Sequence, residues 1–244
     1  MEKITIATSD GSCPSYVFRP SGVGPWPAVL VFMDGLGIRP TMLEFGDRLA
    51  AHGYLVLLPD LFYRSGAYEP MDAKKIFSGD PEARKPLMAM FALATQENVM
   101  RDTTAFLAWL DDQKDVKKGG IGTTGYCMGG KMSVCAAGTH PDRIVATAAY
   151  HAGGLATDAP DSPHLLAPKI TARVYVAGAT DDQHFPDEMK ARFDEALTKA
   201  GVDHVVETYP AKHGWTMRDT PVFDAAQAER HWKTLFALLD AKLK

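Results

Sequence analysis

Residues 122 to 132 read GTTGYCMGGKM. Gly125 and Gly129 flank Cys127 at the spacing of a G-x-S-x-G turn, with sulfur where that turn carries a hydroxyl. In such a turn a strand passes into a helix through a strained backbone. A side chain at either glycine would collide with its neighbours, so the residue between them is lifted clear as a nucleophile. A thiol between two glycines can also be a small buried core residue. The choice turns on what the rest of the chain supplies.

The flanks have the right character. GGIGTTGY (119–126) reads as a strand and MGGKMSVCAAGTH (128–140) as the helix after it. Upstream, KITIATS (3–9) and PSYVFRP (14–20) are short β-rich runs joined through an Asp-Gly turn signal, which predicts an N-terminal hairpin. PAVLVFM (27–33) and YLVLLPD (54–60) are continuously apolar, as strands covered on both faces are, and TMLEFGDRLAAHG (41–53) between them has helical spacing and ends on glycine. Residues 61 to 86 are rich in Gly, Pro and charge and predict a long excursion with one short helix around MDAKKIF (71–77). KPLMAMFALA (85–94) is a Met-rich helical stretch that could roof a cleft, core packing being the ordinary reading, and NVMRDTTAFLAWLDDQ (98–113) is an amphipathic helix. RIVATAAYHAG (143–153), ARVYVAGA (172–179) and HVVETYP (204–210) supply three further strands, with helices at DEMKARFDEALTKAG (187–201) and from Asp224 to the C-terminus. Strands alternating with helices imply a mostly parallel sheet of about eight strands with helices on both faces.

The chain has 244 residues, 46% hydrophobic and 23% charged, which suits one α/β domain over residues 1–244 with a single good-sized core. A net charge of −4, with Lys and Arg scattered, gives no basic field for nucleic acid. The start lacks a signal-peptide plan, and no apolar run is long enough to span a bilayer. Three cysteines, Cys13, Cys127 and Cys135, fit neither a disulfide framework nor a zinc site, so a reducing, cytoplasmic setting is expected. His151 and His164 could line a pocket but have no metal-ligand spacing, and neither a metal nor a cofactor is expected. Cys135, two helical turns beyond Cys127, is expected to be buried against the sheet.

A cysteine nucleophile needs a base, and the base needs an acid to orient it. In an elbow hydrolase these follow later in the chain, acid before histidine, each on a loop past a strand. VYVAGATDDQHFP (174–186) places Asp181 and Asp182 after one strand, and VVETYPAKHGW (205–215) places His213 after the last. Either aspartate could be the acid by position alone. Acidic pairs in loops are ordinarily solvated and a His before Gly is ordinarily a turn residue, but three coincidences in the correct order weigh against that reading.

Taken together, VFMDGLGIRP (31–40), HGYLVLLPDLFYR (52–64), GYCMGG (125–130), DDQHFPDE (181–188), HGWTM (213–217) and AERHW (228–232) resemble the dienelactone hydrolase family over nearly the whole chain. The resemblance implies an α/β-hydrolase fold and a Cys127, Asp182, His213 triad, with Asp182 favoured over Asp181 because the family places a proline four residues after the acid. It implies an oxyanion hole from the backbone of Gly35 and Met128, and an acid beside the thiol at Asp34, where the family usually has Glu, one methylene longer. It also implies a small-molecule lactone or carboxylic ester as substrate, with one of Arg39, Arg64, Arg84 or Arg101 as a candidate to bind a substrate carboxylate, and a monomer or homodimer. A general carboxylesterase or thioesterase is the nearest alternative. A non-catalytic redox module, with Cys127 and Cys135 sensing oxidants, is the other, and it requires Cys135 to be reachable.

Overall fold

A computed structural model describes residues 1–69 and 71–244. The chain opens with the predicted hairpin, β1 (Glu2–Thr8) paired antiparallel with β2 (Gly11–Phe18). Then come β3 (Ala28–Phe32), α1 (Pro40–Ala51) and β4 (Leu55–Pro59). Helix α2 (Ala73–Ser78) is the short helix expected in the excursion, and α3 (Pro81–Leu93) extends the helical stretch read at 85–94 back into it; Pro70 lies outside the described residues. Proline misleads there because Pro81 occupies the first turn of α3, where its missing N–H costs nothing. The series continues with α4 (Gln96–Asp112), β5 (Ile121–Tyr126), α5 (Met128–Thr139), β6 (Ile144–Tyr150), β7 (Arg173–Ala179), α6 (Asp187–Lys199), β8 (His204–Tyr209) and α7 (Ala225–Leu243). A 3-10 segment, Pro163–Lys169, interrupts the long connection from β6 to β7 and was not foreseen.

The eight strands form one sheet in the order β1-β2-β4-β3-β5-β6-β7-β8. Pairing is antiparallel from β1 through β4 and parallel from β4 to β8. This is the α/β-hydrolase arrangement. Helices α1 and α7 meet on one face through Phe45 and Trp232, whose ring centroids are 5.1 Å apart. On the other face α4 packs on α5, which lies along β5 and β6. Every residue of β3, β4 and β5 is therefore buried, which explains their uninterrupted apolar or small-residue character.

The order places β5 between β3 and β6. Because β3 to β8 run parallel, the turn after β5 and the loops after β3, β6, β7 and β8 emerge at one edge of the sheet, where ligands of such sheets bind. The sheet must hold that edge in register. Leu30, fully buried in β3, tests the core: Leu30→Ala should cost about 2–5 kcal/mol. Calorimetry should show it as a fall of about 5–15 °C in the unfolding midpoint; an unchanged midpoint would show that β3 is not packed on both faces.

Candidate active site

Cys127 sits at the turn from β5 into α5 with φ 52° and ψ −116°, a left-handed conformation rare for a residue with a side chain. Its N–H donates to the Tyr150 carbonyl at 3.0 Å, tying the turn to β6. The two glycines are explained by contact. A Cβ on Gly125 would overlap the carbonyl of Gly129, and a Cβ on Gly129 would overlap the carbonyls of Phe32 and Met33. Only without those carbons can the first turn of α5 close onto β5 and β3.

The loop after β8 brings His213 to the thiol, its Nε2 3.2 Å from Cys127 Sγ. On the other side His213 Nδ1 lies 2.7 Å from Asp182 Oδ2. The remaining oxygen of Asp182 accepts from the His184 N–H at 2.9 Å, so both carboxylate oxygens are paired in a buried position. Neighbouring Asp181 is exposed, with φ 54°. Thr180 ties the acid loop to the histidine loop: its N–H donates to the Ala211 carbonyl and its hydroxyl to the Tyr209 carbonyl, each at 3.0 Å.

The electrostatics follow the geometry. Burial alone would lower the pKa of His213, but the negative charge at Cys127 and the hydrogen bonds to Asp182 and Cys127 outweigh it and hold the pKa up at about 10. Burial would raise Asp182, yet the His213 hydrogen bond and charge keep it below the ordinary carboxylate value. The imidazolium therefore stabilises the fold fully below the ordinary histidine pKa and loses that contribution as pH rises through about 10. Asp182 contributes above the ordinary aspartate pKa and loses its contribution as acid protonates it.

Asp34 departs from expectation. Its carboxylate does not hydrogen-bond the thiol; among the described residues the Cys127 sulfur has His213 as its hydrogen-bond partner. Arg39 holds Asp34 in a two-pronged pair, Nη1 to Oδ1 at 2.6 Å and Nη2 to Oδ2 at 2.8 Å, and the Leu36 N–H also donates to Oδ1 at 3.1 Å. Arg39 Nε in turn donates to Asp219 Oδ2 at 2.5 Å. The shorter side chain turns back into its own loop, where a guanidinium five residues on neutralises it. Gly35 and Met128, the residues expected to supply an oxyanion hole, line the same cleft as Cys127, and neither backbone N–H has a hydrogen-bond partner among the described residues.

Of the four arginines, only Arg84 lines the cleft. Arg64 is paired with Asp102 and Asp10, and Arg101 with Asp10, Ser9 and Asn98. His164 bonds Ser162 away from the cleft, at 2.8 Å. His151 lines it, buried at φ 41°, its ring 5.3 Å from that of His213 and its Nε2 2.7 Å from Thr216 Oγ1. Burial, with the neighbouring His213 charge, pushes its pKa well below the ordinary histidine value. Thr216, which ties the His213 loop to β6 through this bond, had no signal in the sequence. Cys13 and Cys135 are both buried, and burial pushes each thiol up to about 12. Among the described residues no group of three His, Cys, Asp or Glu side chains is arranged to hold a metal. No described helix is long and apolar enough to cross a membrane.

Comparison with known proteins agrees with this architecture. The model of the dienelactone hydrolase family matches residues 13–243. A Synechocystis protein named "Putative carboxymethylenebutenolidase" is 26% identical over 99% of this chain and 96% of its own length. One of the same name from Escherichia coli K12 is 27% identical over 95% and 83%. Among solved structures, a dienelactone hydrolase assigned by name in Klebsiella pneumoniae superposes with a TM-score of 0.83 at 22% identity, covering 98% of this chain and 97% of its own. A dienelactone hydrolase-like promiscuous phosphotriesterase from metagenomic libraries gives 0.75 at 24% identity, covering 100% and 99%.

Two outcomes follow from the contacts. Asp34→Asn should leave the pH profile of Cys127 alkylation by iodoacetamide superimposable on that of the unsubstituted protein, because Arg39 already neutralises the carboxylate; a displaced profile would put Asp34 against the thiol. In NMR titrations the His213 imidazole should lose its proton near pH 10, and well below that in Cys127→Ala. Identical titrations would show that the sulfur is not its partner.

Proposed function

The chain belongs to the dienelactone hydrolase family and is a hydrolase of that kind, and from that footing we propose that it cleaves carboxylic esters or lactones with Cys127 as nucleophile, His213 as acid and base, and Asp182 as its orienting partner. The supporting observation is the unbroken line from Cys127 Sγ to His213 Nε2 at 3.2 Å and from His213 Nδ1 to Asp182 at 2.7 Å, at the carboxyl edge of the sheet.

His213 Nε2 takes the thiol proton, giving a thiolate facing an imidazolium, the form in which sulfur is nucleophilic. Sulfur attacks the substrate carbonyl carbon, and the oxygen, now negative, is received by the free N–H groups of Gly35 and Met128, the latter at the first turn of α5. The tetrahedral adduct collapses by breaking the C–O bond to the leaving oxygen, which takes the proton from His213 Nε2. A thioester on Cys127 and a neutral imidazole result. Water then gives a proton to His213 as it attacks the thioester, and the second adduct expels the thiolate, restoring the ion pair. In a lactone the leaving oxygen stays tethered to the acyl group. Thiolate leaves more readily than alkoxide, so acylation goes forward best with activated leaving groups such as enols or phenols, and amides are poor substrates.

The redox alternative lacks its second thiol: Cys135 is fully buried on α5. Three free cysteines favour a cytoplasmic setting. Cys127→Ala should cut turnover of p-nitrophenyl esters by at least roughly a thousandfold while leaving the unfolding midpoint close to that of the parent. Asp182→Asn should cost at least about a hundredfold and Asp181→Asn much less. Near-parent turnover in folded Cys127→Ala would end the proposal.

A further inference from the structure

The cleft over Cys127 has a volume of about 1280 Å³, more than the 300–1,000 Å³, roughly, that holds most drug-sized ligands. A small lactone would leave most of it empty. One wall of it is apolar, and α2 and α3 build that wall: Ile76 and Phe77 come from the first, Leu87, Met88 and Phe91 from the second. These helices reach two of the loops that carry the chemistry. The Phe91 ring is packed so closely on Gly35 that a Cβ there would lie 2.6 Å from its Cζ, and the Phe77 ring comes within 3.1 Å of the Cβ position of Gly214, the residue after His213. One ring thus abuts the expected oxyanion donor and the other the base.

The guanidinium on the loop after β3, Arg39, is consumed by Asp34 and Asp219 and is absent from the cleft lining. Of the cations that do line the cleft, Arg84 and Lys212 are exposed, and Lys131 is half-buried on α5. On the lips, Met88 is 60% and Phe223 41% exposed, large apolar groups left open to solvent where an extended substrate would emerge.

Resting on the hydrolase reading above, we propose that α2 and α3 form a specificity wall, with Phe91, Leu87, Phe77 and Met88 receiving an extended apolar acyl group, so that the substrates are esters of medium-chain or aryl carboxylic acids and not small anionic lactones. Each acyl methylene fully buried against this wall is worth about fourfold in binding the transition state. Partial burial over four methylenes still gives at least about tenfold.

The test is kcat/KM for p-nitrophenyl acetate, butyrate, hexanoate and octanoate, beside the carboxylate-ended p-nitrophenyl succinate, with the parent protein, Met88→Glu and Phe91→Ala. Met88 is exposed, so its substitution does not threaten folding. Expected are a rise of at least about tenfold from acetate to hexanoate, succinate below butyrate, and a hexanoate-to-acetate ratio reduced at least about threefold in both variants. A flat series, a preference for succinate, or a rising series whose ratio neither substitution changes would overturn the specificity wall and leave the hydrolase reading standing. No turnover of any ester would overturn the hydrolase reading and the wall with it.

Discussion

The close approach of α5 to the carboxyl ends of β3 and β5 governs the rest of the site. With no Cβ at Gly125 or Gly129, the first helical turn seats directly under the carbonyls of Phe32 and Met33. Cys127 is forced into a left-handed backbone conformation with its sulfur free of the sheet. That strain is of order 1–3 kcal/mol, and the surrounding sheet holds it in place. The same seating leaves the Met128 N–H without a hydrogen-bond partner among the described residues, in the cleft that Gly35 and Cys127 also line.

What converges on the sulfur is set by sheet order. Acid and histidine lie on adjacent loops because β7 and β8 are neighbours, and Thr180 fastens the two together. Asp182, its oxygens divided between His213 and the His184 N–H, fixes the ring so that Nε2 faces Cys127. His151 supports the same loop from β6 through Thr216 and, kept uncharged by burial, does not compete with the cation at His213. Asp34 is tied by Arg39 into a brace that reaches Asp219 on the histidine loop.

Much of this was legible before any coordinates, and the reasons are local. The buried strands announce themselves as continuous apolar runs, and the elbow as two glycines whose spacing is dictated by steric contact. The loops that carry Asp181, Asp182 and His213 are readable from their order along the chain; order alone does not choose between the two aspartates, and it is the fold that sets Asp182 against His213. The partner of Asp34 was not, because it depends on Arg39 turning inward and on Asp219 arriving from the far end of the sequence. Most of helix α3 was legible as the helical stretch 85–94; its start was not, because Pro81 stands in the first turn, where proline is tolerated. The apolar wall was half legible: the Met-rich run 85–94 fits either the roof of a cleft or ordinary core packing, and the fold decides by placing Leu87, Met88 and Phe91 along the cleft.

The most direct test of the central claim is to trap the covalent intermediate. Parent protein mixed with an excess of a p-nitrophenyl ester, quenched in acid within the first turnover and digested with trypsin, should carry one acyl group on the peptide 119–131, at Cys127, by tandem mass spectrometry. Acid quench preserves a thioester, and hydroxylamine should release it. Full turnover with that peptide unmodified, or with the acyl group on another residue, would contradict Cys127 as the nucleophile.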